Sequence, residues 1–276
     1  MREPKLGIAV GKKGVGKSYA TFQMMKSYIN GNPAKGVKPR RVLIVDVNDE
    51  YGDAPYYVKG IGLKDVLRFS VHPKIEIRRI RPFKEDGTRM TLREISEVLF
   101  YCLQTFRGGL LLIEDLNRYI SDHLPKDLEG AICTNRHTDT DIMIHLQSIG
   151  RITSKFWQNI NFLRFHKNID SVERHQNKFP DKFELLTIVE SYVDSEYLEN
   201  DNKRVFVYVD TEEMKVSGKL KPKLVDEAIE FYVNMNERKL IKPFLSMKDK
   251  SGKPLHDVSS ARKAVIDKLK KNYFTK

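Results

Sequence analysis

The sequence predicts an α/β fold around a central, mainly parallel sheet. Three observations carry this. Short apolar runs recur along the chain, helical patterns fall between them, and the first run leads directly into a glycine-rich loop. Residues 6–10, 42–46, 110–113 and 142–146 are nearly uninterrupted apolar stretches, as expected of strands covered on both faces. Strands alternating with helices imply right-handed crossovers and parallel neighbours.

Each element has its own signal. Residues 19–29 follow the glycine-rich loop with helical spacing. Residues 31–41, rich in Gly, Pro and Lys, form a loop. Residues 75–80 alternate apolar and charged side chains, as on an edge strand. Leu92, Ile95, Val98, Leu99, Cys102, Leu103 and Phe106 share one helical face, and Gly108-Gly109 stops that helix. A further helix is expected over residues 124–137 and a fifth strand over 161–166. A long helix follows over 184–197, then a hairpin around Asp210-Thr211-Glu212. Pro222 opens a helix reaching residue 236. Beyond Leu240 the pattern weakens through Pro243. Residues 250–254 read as a linker, and a basic amphipathic helix is expected over 259–271. The expected organisation is a core over residues 1–220 and a small basic helical extension over 221–276.

The glycine-rich loop is Gly11-Lys12-Lys13-Gly14-Val15-Gly16-Lys17-Ser18. It fits G-x-x-x-x-G-K-[ST], and its strand-before, helix-after context is what that motif requires. Glycines let the backbone wrap tightly and turn its N–H groups inward, and the helix start adds partial positive charge. Such a loop binds a nucleoside triphosphate: Lys17 reaches the β- and γ-phosphates, and the Ser18 hydroxyl holds Mg²⁺. Lys12 and Lys13 add positive charge.

Composition narrows the function classes. The chain has 276 residues, 40% hydrophobic and 31% charged, and a formal charge of +12. This balance is that of a soluble globular protein, and the charge points to an anionic partner, nucleic acid first. From Arg238 onward, twelve Lys and Arg face three acids. The plainer reading of that segment is a solvated basic tail. No apolar run approaches the ~18 residues of a membrane helix. Cys102 and Cys133 are too few for a disulfide framework or a zinc site, and both are expected as buried thiols. Together these features suggest a cytosolic compartment. His137, Asp139 and Asp141 lack a second histidine at ligand spacing and read as a polar turn. Phe156, Trp157 and Phe162 read as packing residues.

Leu110-Leu111-Leu112-Ile113-Glu114-Asp115 is a buried strand that ends in two acids. In an open α/β sheet such an end lies beside the phosphate loop. One acid there can hold Mg²⁺ and its neighbour can orient or deprotonate an attacking water; otherwise the strand simply ends at a polar turn. Gln147, at the tip of the 142–146 strand, can touch the γ-phosphate or that water, or only cap the next turn.

In order along the chain stand the phosphate loop, a strand ending Asp46-x-x-x-Glu50-Tyr51, the acidic strand, and Asn135-Arg136-His137 before the Gln147 strand. Over residues 5–220 this resembles the FtsK–HerA superfamily of RecA-like (ASCE) P-loop ATPases. The segment from Asn135 to Lys167 looks especially like its small phage members, the genome-packaging ATPases and the Zot-like assembly proteins. The resemblance implies a sheet of order 5-1-4-3-2 and a homo-oligomeric ring, pentameric or hexameric. It implies ATP and Mg²⁺ as cofactors and ATP hydrolysis coupled to double-stranded DNA movement, with a portal or capsid protein as a possible partner. It also implies an arginine reaching the γ-phosphate from the neighbouring subunit. Arg136 is the candidate by position and Arg151 the reserve; as a plain alternative, Arg136 is a cation at a helix C-terminus. Where the family has Asp-Glu, this chain has Glu114-Asp115. Glu114 therefore falls at the metal position and Asp115 at the base position. The general base is left among Asp115, Glu114 and Glu50. Two other functions share these features: a Zot-like ATP-dependent assembly or secretion factor, and a DNA-binding module that nucleotide only switches.

Overall fold

The computed structural model describes residues 3–116, 126–133, 138–199 and 203–274. Eight strands form one sheet in the order β3-β2-β4-β5-β1-β6-β7-β8. They are β1 (Leu6–Val10), β2 (Arg41–Val45), β3 (Ile77–Ile80), β4 (Gly109–Ile113), β5 (Asp141–Leu146), β6 (Phe162–His166), β7 (Phe206–Asp210) and β8 (Lys215–Ser217). The strands from β3 to β6 are parallel, and β7 and β8 add an antiparallel flank. With β3 set aside as an extra edge strand, the remaining parallel strands run in the expected 5-1-4-3-2 order.

The core strands are apolar because both faces are covered. β1, β4 and β5 are buried along their whole length. One apolar cluster contains Ala9, Phe22, Met25, Ile44, Leu112 and Met143, beneath α1 (Lys17–Asn30). The opposite, larger cluster contains Ile8, Leu43, Leu111 and Ile144, with Leu99 of α3 (Leu92–Thr105) and Ile132 of α4 (Lys126–Cys133). Two glycines permit close approach. A Cβ on Gly7 would meet the Phe162 ring at 2.2 Å, and one on Gly109 would meet the Arg41 carbonyl at 2.4 Å.

Helix α3 starts at a capping box in which Thr91 and Glu94 satisfy each other's backbone N–H groups. A short α2 (Val66–Val71) precedes β3, in a segment whose periodicity is too brief to register in the sequence. The 124–137 helix is observed as α4; residues 124, 125 and 134–137 lie outside the described residues. Helix α5 (Ser154–Asn159) buries Phe156 and Trp157 in the large cluster, as packing side chains. Cys102 is buried and its thiol is pushed up to about 12 by desolvation, whereas the side chain of Cys133 lies outside the described residues.

The C-terminal third departs from expectation in one place. Instead of fading after Leu240, the chain forms α8 (Glu237–Leu245) with Pro243 inside it. Pro243 lies within the first seven residues of this short helix, and Ile241 is buried against the core; that burial holds the turn that propensity alone would not. α7 (Pro222–Met235) packs on α6 (Phe183–Glu199), and α9 (Val258–Tyr273) packs on α7 and α8. Ala261, Val265 and Leu269 form the buried stripe of α9 at four-residue spacing. Among the described residues no helix is long and apolar enough to cross a membrane.

Glu190 of α6 accepts hydrogen bonds from the Val172 N–H at 3.0 and 3.1 Å, and burial raises its carboxyl to about 7. A carboxyl whose folded value lies above its unfolded one adds stability below the unfolded value, and loses it as pH rises through the folded value. Denaturant titrations at pH 5 and pH 8 should therefore show wild type losing more stability over that interval than Glu190→Gln. Equal losses would show that the group titrates alike folded and unfolded.

Candidate nucleotide site

The phosphate loop joins β1 to α1. Gly14 and Gly16 adopt φ of 85° and 84°, in the left-handed region. A Cβ on Gly11 would lie 2.6 Å from His166 Cβ and 3.2 Å from the Lys167 carbonyl. The loop is tied down at its start: the Gly11 N–H donates to Leu146 O at 3.3 Å and the Lys12 N–H to Lys167 O at 2.9 Å. Val15 is buried and anchors the loop apex. Lys13 and Gly14 face solvent. Lys17 Nζ folds over the loop, donating to Gly11 O and, at 2.9 Å, to Lys12 O.

Three carboxylates gather around Lys17. Burial lowers the Lys17 ammonium, and Glu114, Asp115 and Glu50 oppose that shift. These acids come from two different strand ends. Glu114 and Asp115 follow β4, and Glu50 follows β2. The β2 turn is set by Asp46, which accepts from the Glu50 and Tyr51 N–H groups, both at 3.0 Å, and from Arg79 Nη1 at 2.7 Å. Desolvation raises the Asp46 carboxyl despite these donors. The turn brings Glu50 Oε2 to 3.3 Å from the Ser18 hydroxyl, which donates to it. Burial and the neighbouring Glu114 charge push the Glu50 carboxyl up.

Glu114 is 4% exposed. The Tyr51 hydroxyl donates to its Oε1 at 2.7 Å. His145 Nδ1 lies 2.9 Å from the same oxygen, at ion-pair range but off the line a hydrogen bond needs. Burial pushes the Glu114 carboxyl up; His145, Tyr51 and Lys17 together pull it below its ordinary value. For His145 burial wins: its imidazole is lowered, with Arg164 and Lys17 adding to the effect and Glu114 opposing it.

Asp115 sits beside Glu114 but differently. Its φ of 48° places it in the left-handed region, which Asp tolerates better than most residues. Its two oxygens accept from Gln147 Nε2 at 2.9 and 3.1 Å. The strand-tip amide and the second acid are thus brought together. Arg136 lies outside the described residues. Arg151 ends the short helical turn after β5 and is exposed.

Beneath the loop lies a polar network that sequence reasoning missed. Thr21 Oγ1 is 2.6 Å from His145 Nε2. Arg164, fully buried on β6, donates to Thr21 Oγ1, to the Lys17 carbonyl at 3.0 Å and through Nε to His166 Nε2 at 3.2 Å. His166 is lowered well below its ordinary value by burial first and by Arg164 second. A signal existed: an Arg and a His inside apolar strands must find partners or carry a large desolvation cost.

Hard oxygen donors from Ser18, Glu50 and Glu114 suit Mg²⁺, which usually takes one or two carboxylates plus substrate phosphates. Among the described residues no cluster of three or more His, Cys, Asp or Glu forms a self-contained metal cage.

The phosphate loop after β1, the acids after β4 and the intervening β5 with Gln147 settle the architecture. The fold is a RecA-like P-loop NTPase core. No family model and no curated protein matches the sequence. Similar solved structures include the genome packaging NTPase B204 from Sulfolobus turreted icosahedral virus 2 in complex with AMP. It shares 13% identity over 80% of this chain and 99% of that chain, with a TM-score of 0.49. The N-terminal domain of zonular occludens toxin from Neisseria meningitidis shares 11% identity over 61% of this chain and 79% of that one, at 0.36. The Legionella pneumophila ATPase DotB shares 9% identity over 86% and 53%, at 0.37.

Removing the Tyr51 hydroxyl strips a donor from a buried carboxylate. Tyr51→Phe should lower the unfolding free energy by about 1–3 kcal/mol in a denaturant titration. An unchanged midpoint and slope would mean that Glu114 finds another donor.

Proposed function

We propose that this protein is a Mg²⁺-dependent ATPase that couples hydrolysis to movement of double-stranded DNA, as a phage or viral genome-packaging motor. The observation that carries the hydrolytic part is the convergence of Glu114, Asp115 and Glu50 on Lys17 and Ser18. The charge of +12 and the basic C-terminal segment support a polyanionic partner held through its phosphates rather than its bases.

In this reading the backbone N–H groups of Gly14 to Ser18 cradle the phosphates, and the Lys17 ammonium faces the charge that develops on the γ-phosphoryl oxygens. Bound Mg²⁺, held by Ser18 with Glu114 and Glu50 near it, would neutralise part of that charge. Asp115 and Gln147 hold the attacking water: the amide fixes the carboxylate, and the carboxylate accepts the proton. Glu114 stays ionised because Tyr51 donates to it and Lys17 lies near. Subunits arranged in a ring of five or six would let a neighbour's arginine, Arg136 or Arg151, complete the pocket.

The purified protein should hydrolyse ATP faster with duplex DNA than without it, and Lys17→Ala should abolish both rates. Identical rates with and without DNA, together with DNA affinity indifferent to salt, would sink the motor reading. The acids should separate by kinetics. Asp115→Asn should lower kcat by about 10²–10⁴-fold with nucleotide affinity retained, whereas Glu114→Gln should weaken the Mg²⁺ dependence of binding. If Asp115→Asn keeps full turnover, the base lies elsewhere in the cluster.

A further inference from the structure

We propose that Arg204 and Tyr19 form the seat for the purine base, on the flank of the phosphate loop away from the acids. The inference rests on the reading that a nucleoside triphosphate occupies the loop. It starts from sheet order. β5 and β4, which carry Gln147 and the acids, lie on one side of β1, while β6 and β7 lie on the other. A triphosphate with its γ end at Lys17, among the acids, has its α end toward β6 and β7. Base and ribose must leave the loop on that side.

That side presents a built surface. Arg204, just before β7, lays its side chain over the phosphate loop: a Cβ on Gly16 would meet Arg204 Cγ at 3.0 Å. The Arg204 guanidinium stacks 4.9 Å from the Tyr19 ring centroid. Tyr19 follows Ser18 directly in the first turn of α1 and is 42% exposed. Nearby, Lys12 and Lys203 lie 4.6 and 4.8 Å from the centroid of the Tyr197 ring, an additional cationic–aromatic contact at the loop's edge. From Gly16, Tyr19 and Arg204 a groove of about 2160 Å³ continues past Phe206 and Tyr208. Small-molecule pockets typically span ~300–1,000 Å³. This groove is therefore an open trough, and what fixes a base in it is a flat partner. A planar guanidinium held by an aromatic ring is such a partner, because every purine offers a π-face.

The test compares ATP with inorganic tripolyphosphate, which has the phosphates and no base. Calorimetric titration of the full chain with Mg²⁺ should show Arg204→Ala and Tyr19→Ala each binding ATP about ten- to a hundredfold more weakly. Tripolyphosphate should bind these variants as it binds wild type, and Lys17→Ala should lose both ligands. Arg204→Lys, which keeps charge without the plane, should behave as Arg204→Ala toward ATP. Equal weakening of both ligands would make Arg204 a phosphate cation and overturn the base seat. So would ATP affinity unchanged in every Arg204 and Tyr19 variant. If wild type binds neither ligand, the nucleotide reading falls and this inference with it.

Discussion

The Glu114 carboxylate, buried and beside a lysine ammonium, is the constraint around which the site is built. A charge removed from water must be met by donors and by opposite charge. Here those come from three separate parts of the chain. Tyr51 arrives from the turn after β2, His145 from β5 and Lys17 from the phosphate loop after β1. Satisfying one carboxylate therefore fixes the relative heights of three strand ends.

The same logic continues under the loop. His145 passes the network to Thr21, and Thr21 to Arg164, whose guanidinium also grips the Lys17 carbonyl. The first turn of α1 is thereby held from below by charge-assisted bonds. Removing any member would leave a buried polar group unpaired, so the network is a rigid support for the loop rather than a surface ornament. Rigidity matters because a phosphate site works by donors already in place before charge develops.

The second acid is held in the opposite way. Asp115 is half-exposed, in a left-handed backbone conformation, and its oxygens meet an amide rather than a cation. Two adjacent acids on one strand end thus have different surroundings, one buried and bonded by Tyr51, the other partly exposed and bonded by Gln147.

Much of this was legible in residue order. The continuous apolar runs determined the strands, because only side chains tolerated on both faces survive in a parallel sheet. The spacing of Gly11, Gly16, Lys17 and Ser18 marked the loop, because the two glycines take positive φ that most residues avoid and the Lys and Ser carry the phosphate chemistry. The acids after β4 and the amide after β5 were visible because each interrupts a continuous apolar run at the strand's end. The helix through Pro243 was not visible, since burial of Ile241 overrides local propensity. Nor was the pairing of Tyr51 with Glu114, of Thr21 with His145 and Arg164, or of Arg204 with Tyr19. Their partners lie between 63 and 185 positions apart in the chain or across different strands. Local sequence sets which groups sit at strand ends and helix starts. Strand order alone sets which of those ends become neighbours, because long-range pairing is decided when the sheet closes around a shared core.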